Sequence, residues 1–192
     1  HSSSTGSFTD TAMRQNVCTG TGGAVWMENS SATFTRCELT DNRAGDGGGG
    51  FSAYGGGFVT FADGLIADNA ARWGGGAAVG NAGFSIRTSR LHANAATAGN
   101  GGALDIFGAA GSSLISSALT ANTSTDGGGG VSLGSGSGLS VMNSTIAANR
   151  GGFSGGGIGM FGSVLTMGNS ILWGNSVVVP GGASVMDQQL RV

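Results

Sequence analysis

The sequence predicts an all-β chain: a right-handed parallel β-helix of about seven coils of 25–28 residues, stitched by an internal asparagine ladder. Three observations predict it. An asparagine returns at near-constant spacing, apolar positions run in phase with it, and almost every repeat carries a glycine cluster. The asparagines are Asn16, Asn42, Asn69, Asn94, Asn122, Asn149 and Asn175, with successive differences of 26, 27, 25, 28, 27 and 26. A repeat of this period marks a solenoid, in which one coil cannot bury its apolar side alone and stacked coils can.

Counting back from each asparagine exposes the unit. Three residues earlier stand Met13, Leu39, Ile66, Leu91, Leu119, Ile146 and Leu172; eight residues earlier stand Phe8, Phe34, Phe61, Ile86, Leu114, Val141 and Met167. All are large and apolar. Five residues earlier, and two residues later, the side chains are mostly small. Positions −10 and −8, and −5 and −3, fit two short strands with side chains at period two, and they do not fit one amphipathic helix. The glycine clusters, such as Gly47 to Gly50 and Gly127 to Gly130, precede a further apolar strand and supply positive φ at corners. In this geometry the −3 and −8 residues form two internal columns. The asparagines are expected at left-handed corners, bonded in series, because an amide both donates and accepts.

Composition agrees. There are 41 glycines in 192 residues, charged residues are 9% of the chain against roughly 25% in an ordinary domain, and no lysine occurs. Collagen would need abundant proline, and one is present. Disorder brings low hydrophobicity, yet 39% of this chain is hydrophobic. A net charge of −2 offers no footprint for nucleic acid. No apolar run reaches the roughly 20 residues of a membrane span. No cofactor is expected. Residues 1–192 read as a single β-helix domain, a segment of a larger protein. Neither end shows a helix or charged cap, so the partners expected are further coils of the parent chain or neighbouring copies stacked end to end.

Candidate surface chemistry gathers on the early coils. Asp10, Arg36 and Asp63 share the −6 position, and Asp41 and Asp68 share the −1 position. Carboxylates beside an arginine suit acid–base work on a glycosidic bond; a surface charge ladder of little energy is the plainer reading. Asp41 and Asp68 fall short of the oxygens that calcium needs. His92 has no partner in register for nucleophilic catalysis. Trp26, Tyr54, Trp73 and Trp173 lie outside the internal columns, where they either stack on sugars or pack under loops. The glycine runs lack the Gly-Lys-Ser/Thr ending of a phosphate loop. Asn29, Asn122 and Asn143 begin glycosylation triplets, that of Asn122 being spent on the ladder. Cys18 and Cys37 are expected to face inward on neighbouring coils, as free thiols or as a bridge.

The pairing of Gly-Gly-Ala-aliphatic with aliphatic-x-x-Asn resembles the repeats of chlamydial-type polymorphic outer membrane proteins. It occurs as Gly22-Gly23-Ala24-Val25 with Leu39-Thr40-Asp41-Asn42, and as Gly101-Gly102-Ala103-Leu104 with Leu119-Thr120-Ala121-Asn122. Phe51 and Ile158 depart by following glycine without the alanine. The resemblance implies secreted or surface-displayed β-helices, often adhesins. The function expected is therefore a non-enzymatic extracellular or cell-surface structural and adhesive module that contacts glycans or host and cell-surface proteins. A carbohydrate-active β-helix enzyme, lyase or hydrolase, is the alternative, with Arg36, Asp41, Asp63 and Asp68 as its site.

Overall fold

The computed structural model describes residues 4–178, 184–186 and 190–191. Every described element is a strand, and the strands stack into four sheets, here called A to D, in which all but the last two pair in parallel with their counterparts one coil away. One coil runs through Ser31–Thr35 in sheet A, Glu38–Thr40 in sheet B, Arg43–Ala44 in sheet C and Phe51–Tyr54 in sheet D. The next coil begins at Phe58–Ala62, back in sheet A. Six such coils, and a seventh described through sheets A to C, make the expected parallel β-helix. Three of the four sides are the strands expected from the repeat. Sheet C was missed because its strands are mostly two residues long, too short to show a period; it explains the small residues two positions after each asparagine.

Like stacks on like in the interior. Phe34, Phe61, Ile86, Leu114 and Val141 form one fully buried column, and Leu39, Ile66, Leu91, Leu119 and Ile146 another. Sheet D contributes Phe51, Val79, Leu104, Ile106, Val131 and Leu133 from the opposite side. Each such side chain is worth about 1.5–3 kcal/mol on leaving water. At the N-terminal end the ring of Phe34 stacks on Phe8 with centroids 4.9 Å apart and meets the tilted ring of Phe61 at 5.8 Å. Ser112 intrudes on this core, and its buried hydroxyl finds no partner.

The corners overturn one expectation. No ladder asparagine has positive φ; the residue before it does, from Gln15 and Asp41 through Ala148 to Gly174. The −6 residues, Asp10, Arg36, Asp63, Thr88, Ser116, Asn143 and Asn169, are left-handed too, at φ of 49 to 56°. These two corners flank the three-residue strand of sheet B. The left-handed residue at −1 turns the chain so that the next side chain points inward.

The asparagine ladder itself is continuous. Nδ2 of Asn16, Asn42, Asn69, Asn94, Asn122 and Asn149 each donates to Oδ1 of the asparagine one coil on, at 2.9–3.0 Å. Each of those Oδ1 atoms also accepts the backbone N–H of the previous asparagine. The second amide hydrogen of Asn42 through Asn175 goes to a backbone carbonyl, such as Met13 or Ile146. The amides are thus satisfied, avoiding about 1–3 kcal/mol per orphaned group. A second ladder follows at −5. The hydroxyls of Ser89, Ser117, Ser144 and Ser170 donate to the carbonyl two residues back and accept an N–H from the neighbouring coil.

The expectation of two bare ends is corrected at the C-terminal one. There Ser184–Met186 pairs antiparallel with Ser176–Val178 in sheet C, and Leu190–Arg191 pairs antiparallel with Ile171–Leu172 in sheet B.

Candidate functional site

The four residues singled out as a surface site do not converge. Arg36 and Asp63 stand at one corner of sheet B and Asp41 and Asp68 at the other, roughly 10 Å apart along a three-residue strand. All four hold left-handed backbone, which the short polar side chains of Asp41, Asp63 and Asp68 tolerate well and Arg36 also adopts. Arg36 is occupied: its Nε and Nη2 donate to Asp10 at 2.6 and 2.8 Å, and this pairing holds the Asp10 carboxyl below the usual carboxylate range. Arg14 pairs likewise with Glu38 on the adjoining strand. These charges line a shallow hollow of about 270 Å³ and neutralise one another. His92 Nδ1 shares a hydrogen bond of 3.0 Å with Thr120 Oγ1. Cys18 and Cys37 are free thiols, Cys37 buried among the −5 residues. Among the described residues, no three His, Cys, Asp or Glu side chains are placed to hold a metal ion, and no helix is long and apolar enough to cross a membrane.

A different set of side chains comes together on the outer face of sheet D. Its register aligns Glu28, Tyr54, Gly80 and Phe107 in one outward column, and Trp26, Ser52, Ala78, Asp105 and Ser132 in another. The chain between sheets C and D folds along the edge of this face and brings in Arg72, Trp73, Asn100 and Asp126. Tyr54, Arg72, Trp73, Asn100, Asp105, Phe107 and Asp126, with Thr21, Ala98 and Gly99, enclose a groove of about 590 Å³.

Glycine makes the aromatic wall possible. A Cβ on Gly80 would overlap the Phe107 ring, and one on Gly47 would overlap the Trp73 indole and stand 3.0 Å from the Tyr54 hydroxyl. The rings lean over these gaps, so Tyr54 and Phe107 meet with centroids 5.9 Å apart at an interplanar angle of 40°. The Arg72 guanidinium sits 5.4 Å from the centre of the Trp73 ring, within cation–π range. Burial pushes the Tyr54 hydroxyl above its usual pKa, with hydrogen bonding to Trp73 and Ser52 opposing. Asp105 lies partly buried in the groove; loss of water raises its pKa to about 6, although hydrogen bonding with Ser132 pulls it back. A carboxyl so placed changes charge near neutrality, a common property of functional sites.

A second hollow of about 380 Å³ continues the groove toward the C-terminal end. It shares Asn100 and Asp126 with the first and adds Phe153, Ser154 and Phe161. Phe153 is 74% exposed, unusual for a ring of its size. Of the four aromatics noted in the sequence, Tyr54 and Trp73 line the main groove, Trp26 lies on the same sheet, and Trp173 lies away on sheet B. Asp105, Asp126, Arg72, Asn100 and Phe107 were missed. The one available signal was the Tyr54, Gly80, Phe107 column, and glycine clusters of unequal length hide that register.

Comparison with known proteins gives one family. The model described as a right-handed β-helix region matches residues 3–189. No curated protein matches. Among solved structures, a trypsin-treated form of QnrB1, a plasmid-mediated fluoroquinolone resistance protein, is 12% identical, covering 88% of this chain and 73% of that one at a TM-score of 0.27. A likeness that low carries no conclusion about this chain.

Proposed function

Since the chain belongs to the right-handed β-helix family, we propose that it is a non-enzymatic extracellular or cell-surface module, structural and adhesive, that meets its ligand on the sheet D face. The observation that carries this reading is the groove, where three aromatic side chains, an amide, an arginine and two carboxyls gather in one hollow. Elsewhere the repeat spends its polar groups on itself, in the asparagine and serine ladders and the paired charges of sheet B. The likeness to polymorphic outer membrane protein repeats supports surface display. Further coils, or a second copy, would add at the N-terminal edge, where Thr5–Thr9, Ala12–Arg14, Val17–Cys18 and Val25–Glu28 are the first strands of their sheets.

Labelling intact source cells with antibody to the chain tests display; signal only after lysis would overturn it. Attachment of beads coated with the chain to matched surfaces tests adhesion, and coated beads that attach no better than bare ones would count against it.

One observation favours the alternative. Asp105, with its pKa near 6, has the protonation behaviour of a general acid for glycoside cleavage, and Asp126 lines the same groove. Release of reducing ends from polysaccharide, lost in Asp105→Asn, would establish that reading in place of the first.

A further inference from the structure

We infer that the sheet D groove binds an extended, uncharged glycan that lies parallel to the axis of the coils. The inference rests on the adhesive reading and names the ligand class for its binding face.

The surface chemistry of the groove suits a sugar. A sugar ring has apolar C–H faces and a rim of hydroxyls. It needs flat aromatic surface beside fixed hydrogen-bonding groups. The groove offers both: Tyr54, Trp73 and Phe107 for stacking, and Asn100, Asp105 and Asp126 for hydroxyls. The rings are held in advance. Trp73 leans into the space left by Gly47, and Phe107 into that left by Gly80. Little side-chain freedom is left to lose on binding.

The shape of the groove suits a chain of sugars. From Thr21 on the first coil to Phe161 on the sixth, the two hollows share Asn100 and Asp126 and run across five coil spacings. At about 4.8 Å per coil that is roughly 24 Å. Such a length suits several linked sugars better than one compact molecule. It also disfavours a peptide added as a strand, because the backbone along the groove already bonds from coil to coil, as in Gly48 N–H to Trp73 O and Gly74 N–H to Asn100 O.

The charge of the groove favours an uncharged ligand. Asp105 and Asp126 line the groove, and Asp46 lies near enough to Tyr54 to raise its pKa. Against them stands Arg72, already engaged with Trp73. A polyuronate would bring carboxylates to a surface with more acids than bases. An uncharged glycan meets no such repulsion, and at mildly acidic pH a protonated Asp105 gains a donor toward a sugar oxygen.

Calorimetric titration of the whole chain with β-1,4-linked hexamers of glucose, N-acetylglucosamine, mannose and xylose, and with hexagalacturonate, tests this. Saturable binding of at least one uncharged hexamer is expected, with no binding of hexagalacturonate. Trp73→Ala and Gly80→Val should each weaken it by about tenfold or more, ~1.4 kcal/mol, while Trp173→Ala on sheet B should leave it unchanged. Thermal melts confirm that each variant is folded, and Phe153→Ser, on the exposed rim, is a second probe if Gly80→Val is not. No binding by any uncharged hexamer, preference for hexagalacturonate, or binding indifferent to both Trp73→Ala and Phe153→Ser would overturn the inference. Bead attachment is scored separately, so a chain that adheres to surfaces but binds none of these glycans loses this inference and keeps the adhesive reading.

Discussion

Tyr54 and Phe107 stand two coils apart in sheet D, yet their ring centres are only 5.9 Å from each other, because the intervening residue of their column is Gly80. A side chain there would occupy the space of the Phe107 ring. Gly80→Val should push that ring away from Tyr54 and cost about 1–3 kcal/mol of stability from overpacking. Tyr54 is the single tyrosine, so NMR of its ring protons, shifted by the adjacent Phe107, reports the separation directly. Unchanged shifts in a folded variant would contradict the account.

The ladder should be strong in the middle and weak at its start. Asn94→Ala strips partners from the Asn69 side-chain amide, the Asn69 backbone N–H and the Ile66 carbonyl, all within the core. The expected loss is about 3–9 kcal/mol, from about 1–3 kcal/mol for each of the three orphaned groups. Asn16 is exposed and donates in one direction only. Asn16→Ala should cost less than about 1 kcal/mol. Urea unfolding of the two variants compares them, and equal costs would argue against a cooperative ladder.

Asp105 should make stability depend on pH in a definite direction. Its pKa of about 6 in the folded chain exceeds the ordinary 3.8, so between these values the folded state holds a proton that the unfolded state has released. Stability therefore falls as pH rises from about 4 to about 6 and levels off above, by up to about 3 kcal/mol. Asp105→Asn should flatten that slope and raise the melting temperature at pH 7. Parallel pH profiles for the two proteins would refute the assignment.

Ser112 offers a gain. Its hydroxyl is buried without a partner, between Phe84 and Leu139 of its column. Ser112→Ala removes the cost of that unsatisfied group and should stabilise the chain by about 1 kcal/mol, measured by thermal or urea unfolding. A destabilised variant would mean that the hydroxyl has a role in the native state.

Asp68 tests whether the early acids do more than turn the chain. The equivalent corners of later coils carry Ala93, Ala121 and Ala148 in the same left-handed conformation. Asp68→Ala should then change stability by no more than about 0.5 kcal/mol, and Asp68→Val should cost about 1–2 kcal/mol from its branched Cβ. Neither should alter ligand binding in the sheet D groove; a loss of binding with Asp68→Ala would return interest to the sheet B site.

The solenoid was legible because its information is local and repeated. The phase of Leu39, Phe34 and Asn42 recurs in each coil, so each repeat corroborates the others. The left-handed positions were legible only in part. Asp41 and Asp68 looked like chemistry, when their common feature is the backbone that they share with Ala93 and Gly174. The groove was the least legible. Tyr54, Trp73, Asp105 and Asp126 come from four coils and break the repeat, and no periodic argument gathers residues that are exceptions to the period. Only the sheet D register, with Gly80 lying between Tyr54 and Phe107, brings them to one place.

The asparagine ladder also gives the rod a direction. Every Nδ2 that donates along it points to the following coil and every receiving Oδ1 faces the preceding one, so the amide dipoles add head to tail. Among the described residues Asn16 Oδ1 accepts nothing, which leaves an acceptor facing outward at the first coil. An incoming coil carrying its own asparagine in phase can donate to it, whereas one arriving upside down would set oxygen against oxygen. Any coil placed against that edge would therefore have to share the polarity of the ladder.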